Sequence, residues 1–103
     1  MQESLIIKIW EEELERSRRI LESKRRNLLQ FPKGSVQKKK INNEEYYYLC
    51  KRENGKVKSE YLGKESSKIR ELILQLNERK ALLDSIRRSE ADIRLLEKAV
   101  KLK

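Results

Sequence analysis

The chain has no histidine, one cysteine, one proline, three glycines and six aromatic side chains in 103 residues. Each shortage excludes something. Without an imidazole, no serine or cysteine here has the usual general base, so triad-type nucleophilic catalysis is not expected. No cluster of metal-ligand type and no glycine-rich phosphate loop occurs, and the carboxylates are interleaved with Lys and Arg as in ordinary helix surfaces. The expectation is a protein that is not an enzyme and carries no cofactor. A lone Cys50 cannot form an intramolecular disulfide, which fits a reducing compartment. It lies in Tyr48-Leu49-Cys50-Lys51, where alternation reads it as a small packed strand residue.

Long apolar runs are also missing. Nothing approaches the roughly 18 residues a membrane-spanning helix needs. The short run Leu5-Ile6-Ile7-Lys8-Ile9-Trp10 meets Glu11-Glu12-Glu13 at once, unlike a secretory signal. A cytoplasmic protein without membrane association is expected.

Charge is what the chain has in abundance, with 42% Asp, Glu, Lys and Arg and a net charge of +9. The excess is uneven. Residues 1–32 hold seven basic and six acidic groups, residues 33–64 nine and four, and residues 65–103 ten and seven, giving +1, +5 and +3. The middle third is the basic one, which points to an anionic partner such as nucleic acid, DNA or RNA.

Hydrophobic spacing divides the chain the same way. Ile7, Leu14, Leu21 and Leu28 recur every seven residues, which predicts a helix over residues 3–30. The companion row of Trp10, Ser17, Lys24 and Phe31 is polar in its middle, so loose packing is expected there. Trp10 is read as a packed seam residue, with an exposed anchor for a partner as the alternative. Pro32 ends the helix by removing an N–H donor and constraining Phe31. A second helix is predicted over 66–101, capped by Ser66 or Ser67. Its seam is Ile69, Leu72, Leu76, Leu83, Ile86, Ile93, Leu96 and Val100, interrupted by Arg79 and Glu90.

Between them, residues 33–64 read as a three-stranded antiparallel meander, with strands 35–41, 44–52 and 56–62. Asn42-Asn43 tolerates positive φ, and Asn54-Gly55 between strand residues is a strong hairpin signal. Two-residue turns would place Ile41, Tyr46, Tyr48, Cys50, Val57 and Tyr61 on one face. Val36, Lys38, Lys40, Tyr47, Leu49, Lys51, Lys58 and Leu62 then take the other. The first face, richer in apolar area, is expected to pack on the helices, and the second to meet the partner. A one-residue slip in either turn would rearrange both faces.

The predicted fold is therefore α+β, a single domain over 1–103. Two long antiparallel helices form a coiled-coil-like hairpin joined by the β-meander. The candidate nucleic-acid-binding residues are Lys38, Lys39, Lys40, Tyr47, Lys51, Arg52, Lys56 and Lys58, because lysines neutralise phosphates and a ring can stack on a base. The competing explanation is that edge-strand lysines prevent sheet aggregation and that tyrosines favour β structure. At the C-terminal end, Ile93, Leu96 and Val100, with Leu95 and Leu102, are expected to outrun the first helix. They would then serve a homodimer or a heterologous protein partner.

The motif KGS, a lysine-rich strand, YYYL, GKVKS and YLGK corresponds here to Lys33-Gly34-Ser35, Lys38 to Lys40, Tyr46 to Leu49, Gly55 to Ser59 and Tyr61 to Lys64. It resembles a short module of uncharacterised bacterial, phage and mobile-element proteins. It is similar to the small β-meander ahead of the catalytic part of some transposases, and to the DNA-contacting sheet at the front of phage integrases. The resemblance covers about a third of the chain, and the catalytic part of those enzymes is absent. It implies nucleic-acid contact in a phage or mobile-element setting. Two functions remain open: a small nucleic-acid-binding protein, and a protein-interaction module such as a phage-borne, anti-CRISPR-like inhibitor of a nucleic-acid-processing host defence.

Overall fold

A computed structural model describes residues 5–101; the expected helix start at residue 3, and Leu102, lie outside the described residues. The fold is α+β. In order come α1 (Leu5–Leu28), β1 (Ser35–Ile41), β2 (Glu44–Glu53), β3 (Lys56–Gly63) and α2 (Ser67–Lys101). The chain divides into two compact units, residues 1–30 with 81–103, and residues 31–80.

The helical unit is an antiparallel pair. Leu14 and Leu21 of α1 and Ile86 and Ile93 of α2 form its buried core, with Leu28, Leu82, Leu96 and Val100 packed against it. All but Leu82 are predicted seam residues; the seam read from the sequence has Leu83 in that place. Arg18 reaches Glu97 at 3.4 Å and Arg25 reaches Glu90 at 3.3 Å, so advancing seven residues along one helix retreats seven along the other. Both pairs are well exposed and contribute at most a few tenths of a kcal/mol each. In the polar middle of the seam the Lys24 ammonium donates to the Ser89 hydroxyl at 2.9 Å. Ser17, Ile20, Lys24, Ser89 and Asp92 line a shallow, open cleft there.

The expected overhang is not found for the seam residues, although Leu95, expected with them, is 65% exposed. Ile93 lies inside the helix pair, only 6% exposed, with Leu96 and Val100 against the same core, so none of the three is left uncovered. Residues 67–80 of α2 belong to the other unit, which leaves 81–101 to pair with the 24 residues of α1. With Arg18 level with Glu97, Lys101 comes level with Leu14, and the unmatched end is that of α1. There Leu5, Ile6 and Ile9 are exposed, and Trp10, expected in the core, is 36% exposed.

The sheet unit has strand order β1-β2-β3, antiparallel throughout. Both turns are two-residue turns with positive φ at each central position: Asn42 (52°), Asn43 (66°), Asn54 (50°) and Gly55 (78°). That is the type I′ pattern, whose twist matches a right-twisted hairpin. The resulting register pairs Lys39 with Tyr46, Ile41 with Glu44, Cys50 with Ser59 and Tyr48 with Tyr61, as two-residue turns require. A β-bulge at Tyr47/Tyr48 sets Tyr47 opposite Gly63. Gly34 is obligatory for a different reason. A Cβ there would stand 2.7 Å from the Cys50 carbonyl oxygen, with φ at +116°.

The buried side chains of this unit are Leu49 and Ile69. Leu49 shares its sheet face with its register partner Val36, and Val36, Tyr47 and Leu62 are half-buried. On α2, Leu72, Ile73 and Leu76 continue the stripe begun by Ile69. The N-terminus of α2 is closed by Ser66, whose hydroxyl accepts from the Ile69 N–H at 3.3 Å and whose carbonyl accepts from the Arg70 N–H at 3.1 Å. The withdrawn sheet face is therefore the one expected to be open. Its centre is aliphatic, with Tyr47 the one ring on that face, whereas the opposite face would take three tyrosine hydroxyls and Lys39 with it.

Two substitutions test this architecture. Gly55→Val should cost about 1–3 kcal/mol, since a β-branched residue resists positive φ; thermal denaturation showing parental stability would mean another turn type. Ile93→Glu should abolish cooperative unfolding of the helical unit, because an unpaired carboxylate in that core costs several kcal/mol. Unchanged helical circular dichroism and melting would refute the placement of Ile93.

Candidate nucleic-acid interface

Period-2 alternation and the I′ register assemble the open face of the sheet. Its central strand contributes Tyr46, Tyr48, Cys50 and Arg52; β1 adds Gln37, Lys39 and Ile41; β3 adds Val57, Ser59 and Tyr61. Three rings meet at one end. Tyr61 lies 5.4 Å from Tyr48 and 6.2 Å from Tyr46 between centroids, with interplanar angles of 58° and 44°. Such tilted contacts are the favourable geometry for aromatic pairs. Tyr61 is 57% exposed, while Tyr46 and Tyr48 are half-buried. Ile41 and Val57 are also exposed on this face.

Two ammonium groups flank the rings. Lys39 Nζ stands 4.8 Å from the Tyr48 centroid and Lys64 Nζ 6.0 Å from that of Tyr46, within cation–π range. The Tyr46 hydroxyl donates to Glu44 Oε2 at 2.6 Å, and Lys64 pairs with the same carboxylate at 3.1 Å. The Tyr46 hydroxyl first, and Lys64 second, hold the Glu44 carboxyl below the ordinary glutamate range. The same contacts, with Glu44 the leading cause in each case, push the Tyr46 phenol and the Lys64 ammonium upward. Cys50 Sγ sits 3.8 Å from the Ser59 hydroxyl.

The eight candidate binding residues do not share a surface. Lys39 and Arg52 lie on the open face. Lys38, Lys40, Tyr47, Lys51, Lys56 and Lys58 alternate to the other, whose centre is packed. There Lys38 pairs with Glu45 at 3.4 Å and Lys58 with Glu53 at 3.2 Å. Tyr47 is half-buried and apart from the aromatic cluster. Sequence reasoning left Tyr46, Tyr48, Tyr61 and Lys64 out of the candidate set. The signal was present, since alternation already grouped the three tyrosines; only the choice of packed face sent them inward. Ile93, Leu96 and Val100, the candidate partner surface, are occupied by the chain's own helix pair.

Among the described residues, no group of three His, Cys, Asp or Glu could hold a metal ion, and no helix is long and apolar enough to cross a membrane. Residues 10–71 match the model of a family described as a domain of unknown function, DUF6788. No curated protein and no solved structure matches the chain.

The Glu44 arrangement has a measurable signature. Its carboxyl should titrate below an ordinary glutamate in an NMR pH series, and Tyr46→Phe should move it back up by removing the leading donor. The stabilising contribution of a depressed carboxyl is present above its unfolded-state value and fades as the pH falls through the folded one, and full exposure keeps it small here. A Glu44 titration indifferent to Tyr46→Phe would mean the contact is not formed in solution.

Proposed function

We propose that the chain, which belongs to the DUF6788 family, is a small non-enzymatic nucleic-acid-binding protein of the cytoplasm. Its contact surface is the open face of the sheet. The observation that carries this reading is a tyrosine cluster with Tyr61 exposed, on the most basic third of the chain, flanked by Lys39 and Lys64 with Arg52 on the same face. Rings offer stacking surface that every base can use, and the cations neutralise phosphate. Lys39 and Arg52 make no ion pair within the described residues, so neither must give one up to meet a phosphate. The lysines of the other face, among them Lys38, Lys40, Lys51, Lys56 and Lys58, add long-range attraction. A phage or mobile-element setting agrees with the meander's sequence pattern.

A second reading, a protein-interaction module that occupies a nucleic-acid-processing host protein, is favoured by the uncovered end of α1, where Leu5, Ile6, Ile9 and Trp10 are exposed. Charge complementarity in the sheet unit ranks nucleic acid first.

Titration against duplex DNA, single-stranded DNA and RNA at two salt concentrations tests the proposal. Replacing Lys39, Arg52 and Lys64 together with Ala should leave folding intact and weaken binding. The salt slope should fall by about 0.7–0.9 for each phosphate that is no longer neutralised. Unchanged affinity and slope would remove the open face from the mechanism, and absence of binding at low salt would leave the interaction-module reading.

A further inference from the structure

We infer that the open sheet face takes single-stranded nucleic acid, with a base stacked on Tyr61, and does not dock on a duplex; this rests on the nucleic-acid reading above. The first ground is accessibility of a ring face. Tyr61 is the most exposed of the three tyrosines, and its ring contacts Tyr48 and Tyr46 of the neighbouring strand at 5.4 and 6.2 Å. A ring held this way loses little further freedom on binding. Bases inside a duplex have both faces covered by their neighbours, so only an unpaired base can use it.

Charge is the second ground. The open face carries Lys39, Arg52 and Lys64 against Glu44, and Lys64 is shared with that carboxylate. Two or three phosphate contacts are few for a duplex site, which draws much of its affinity from the backbone. The two ammonium groups instead stand beside the rings, Lys39 by Tyr48 and Lys64 by Tyr46, and can meet the backbone of a strand whose base stacks there.

The third ground is the aromatic end of this face. Three rings meet there, a surface that any base can use by stacking, and the Tyr46 hydroxyl is already donated to Glu44. The expected ligand is a short unpaired stretch with little sequence preference.

Fluorescence anisotropy with four probes of equal length, about eight nucleotides, decides the matter: oligo-dT, oligo-U, an abasic strand and a duplex. Both base-bearing single strands should bind at least about tenfold tighter than the abasic strand and the duplex, with a salt slope of roughly 1.5–2. Tyr61→Ala should weaken single-strand binding about 10- to 100-fold and Tyr61→Phe should retain it, both variants keeping the parental circular dichroism. Equal binding of abasic and base-bearing strands, or a preference for duplex, overturns the stacking inference while the nucleic-acid reading stands. Failure of every probe to bind overturns both.

Discussion

The two type I′ turns decide almost everything else in the sheet unit. Asn42-Asn43 and Asn54-Gly55 hold both central positions of each turn at positive φ, and so leave each hairpin a single register. Side chains alternate with a period of two, so a slip of one residue would exchange the faces of a strand. With this register Val36 meets Leu49 on one side of the sheet and Tyr48 meets Tyr61 on the other. The aliphatic pair goes inward and the aromatic pair outward, and the candidate interface is the consequence.

Both units are thin. The buried hydrophobic residues are Leu14, Leu21, Ile86 and Ile93 in the helical unit and Leu49 and Ile69 in the sheet unit, and among the described residues no polar or charged one is buried. A fold with so little interior depends on regular seams and on turns that need no strain. It cannot hide every aromatic ring. Tyrosine is the residue best suited to remain outside, since its ring packs on neighbours while its hydroxyl stays wet. Glu44, Tyr46 and Lys64 show how such an edge is ordered, with one carboxylate serving a phenol and an ammonium together.

Charge and aromatic surface are distributed differently around the sheet. Lysines dominate the margins of the packed face, two of them tied to glutamates, while the open face joins a few cations to three rings. The first arrangement suits solubility and long-range attraction, and the second suits close contact. The DUF6788 match, residues 10–71, contains all three strands and both turns. The surface proposed to bind therefore lies within the part of the chain that defines the family.

By itself the sequence determined the element order, the strand ends to within a residue, both turns and the register next to them, because these are local, though not the bulge at Tyr47/Tyr48. Asn-Gly and Asn-Asn act through their own φ angles, Pro32 through its own ring, and the heptad through spacing along one helix. It also grouped Tyr46, Tyr48 and Tyr61 on one face. Tertiary structure alone decided which face is buried, because burial is a competition between two surfaces, and the one with three rings also carries three hydroxyls. It likewise decided that Ile93, Leu96 and Val100 are covered and the start of α1 is not. Helix lengths alone do not reveal that residues 67–80 of α2 are committed to the sheet unit, so that only the part from residue 81 onward lies in the unit of α1. Which helix runs short depends on where pairing starts, and that is fixed by packing between distant segments.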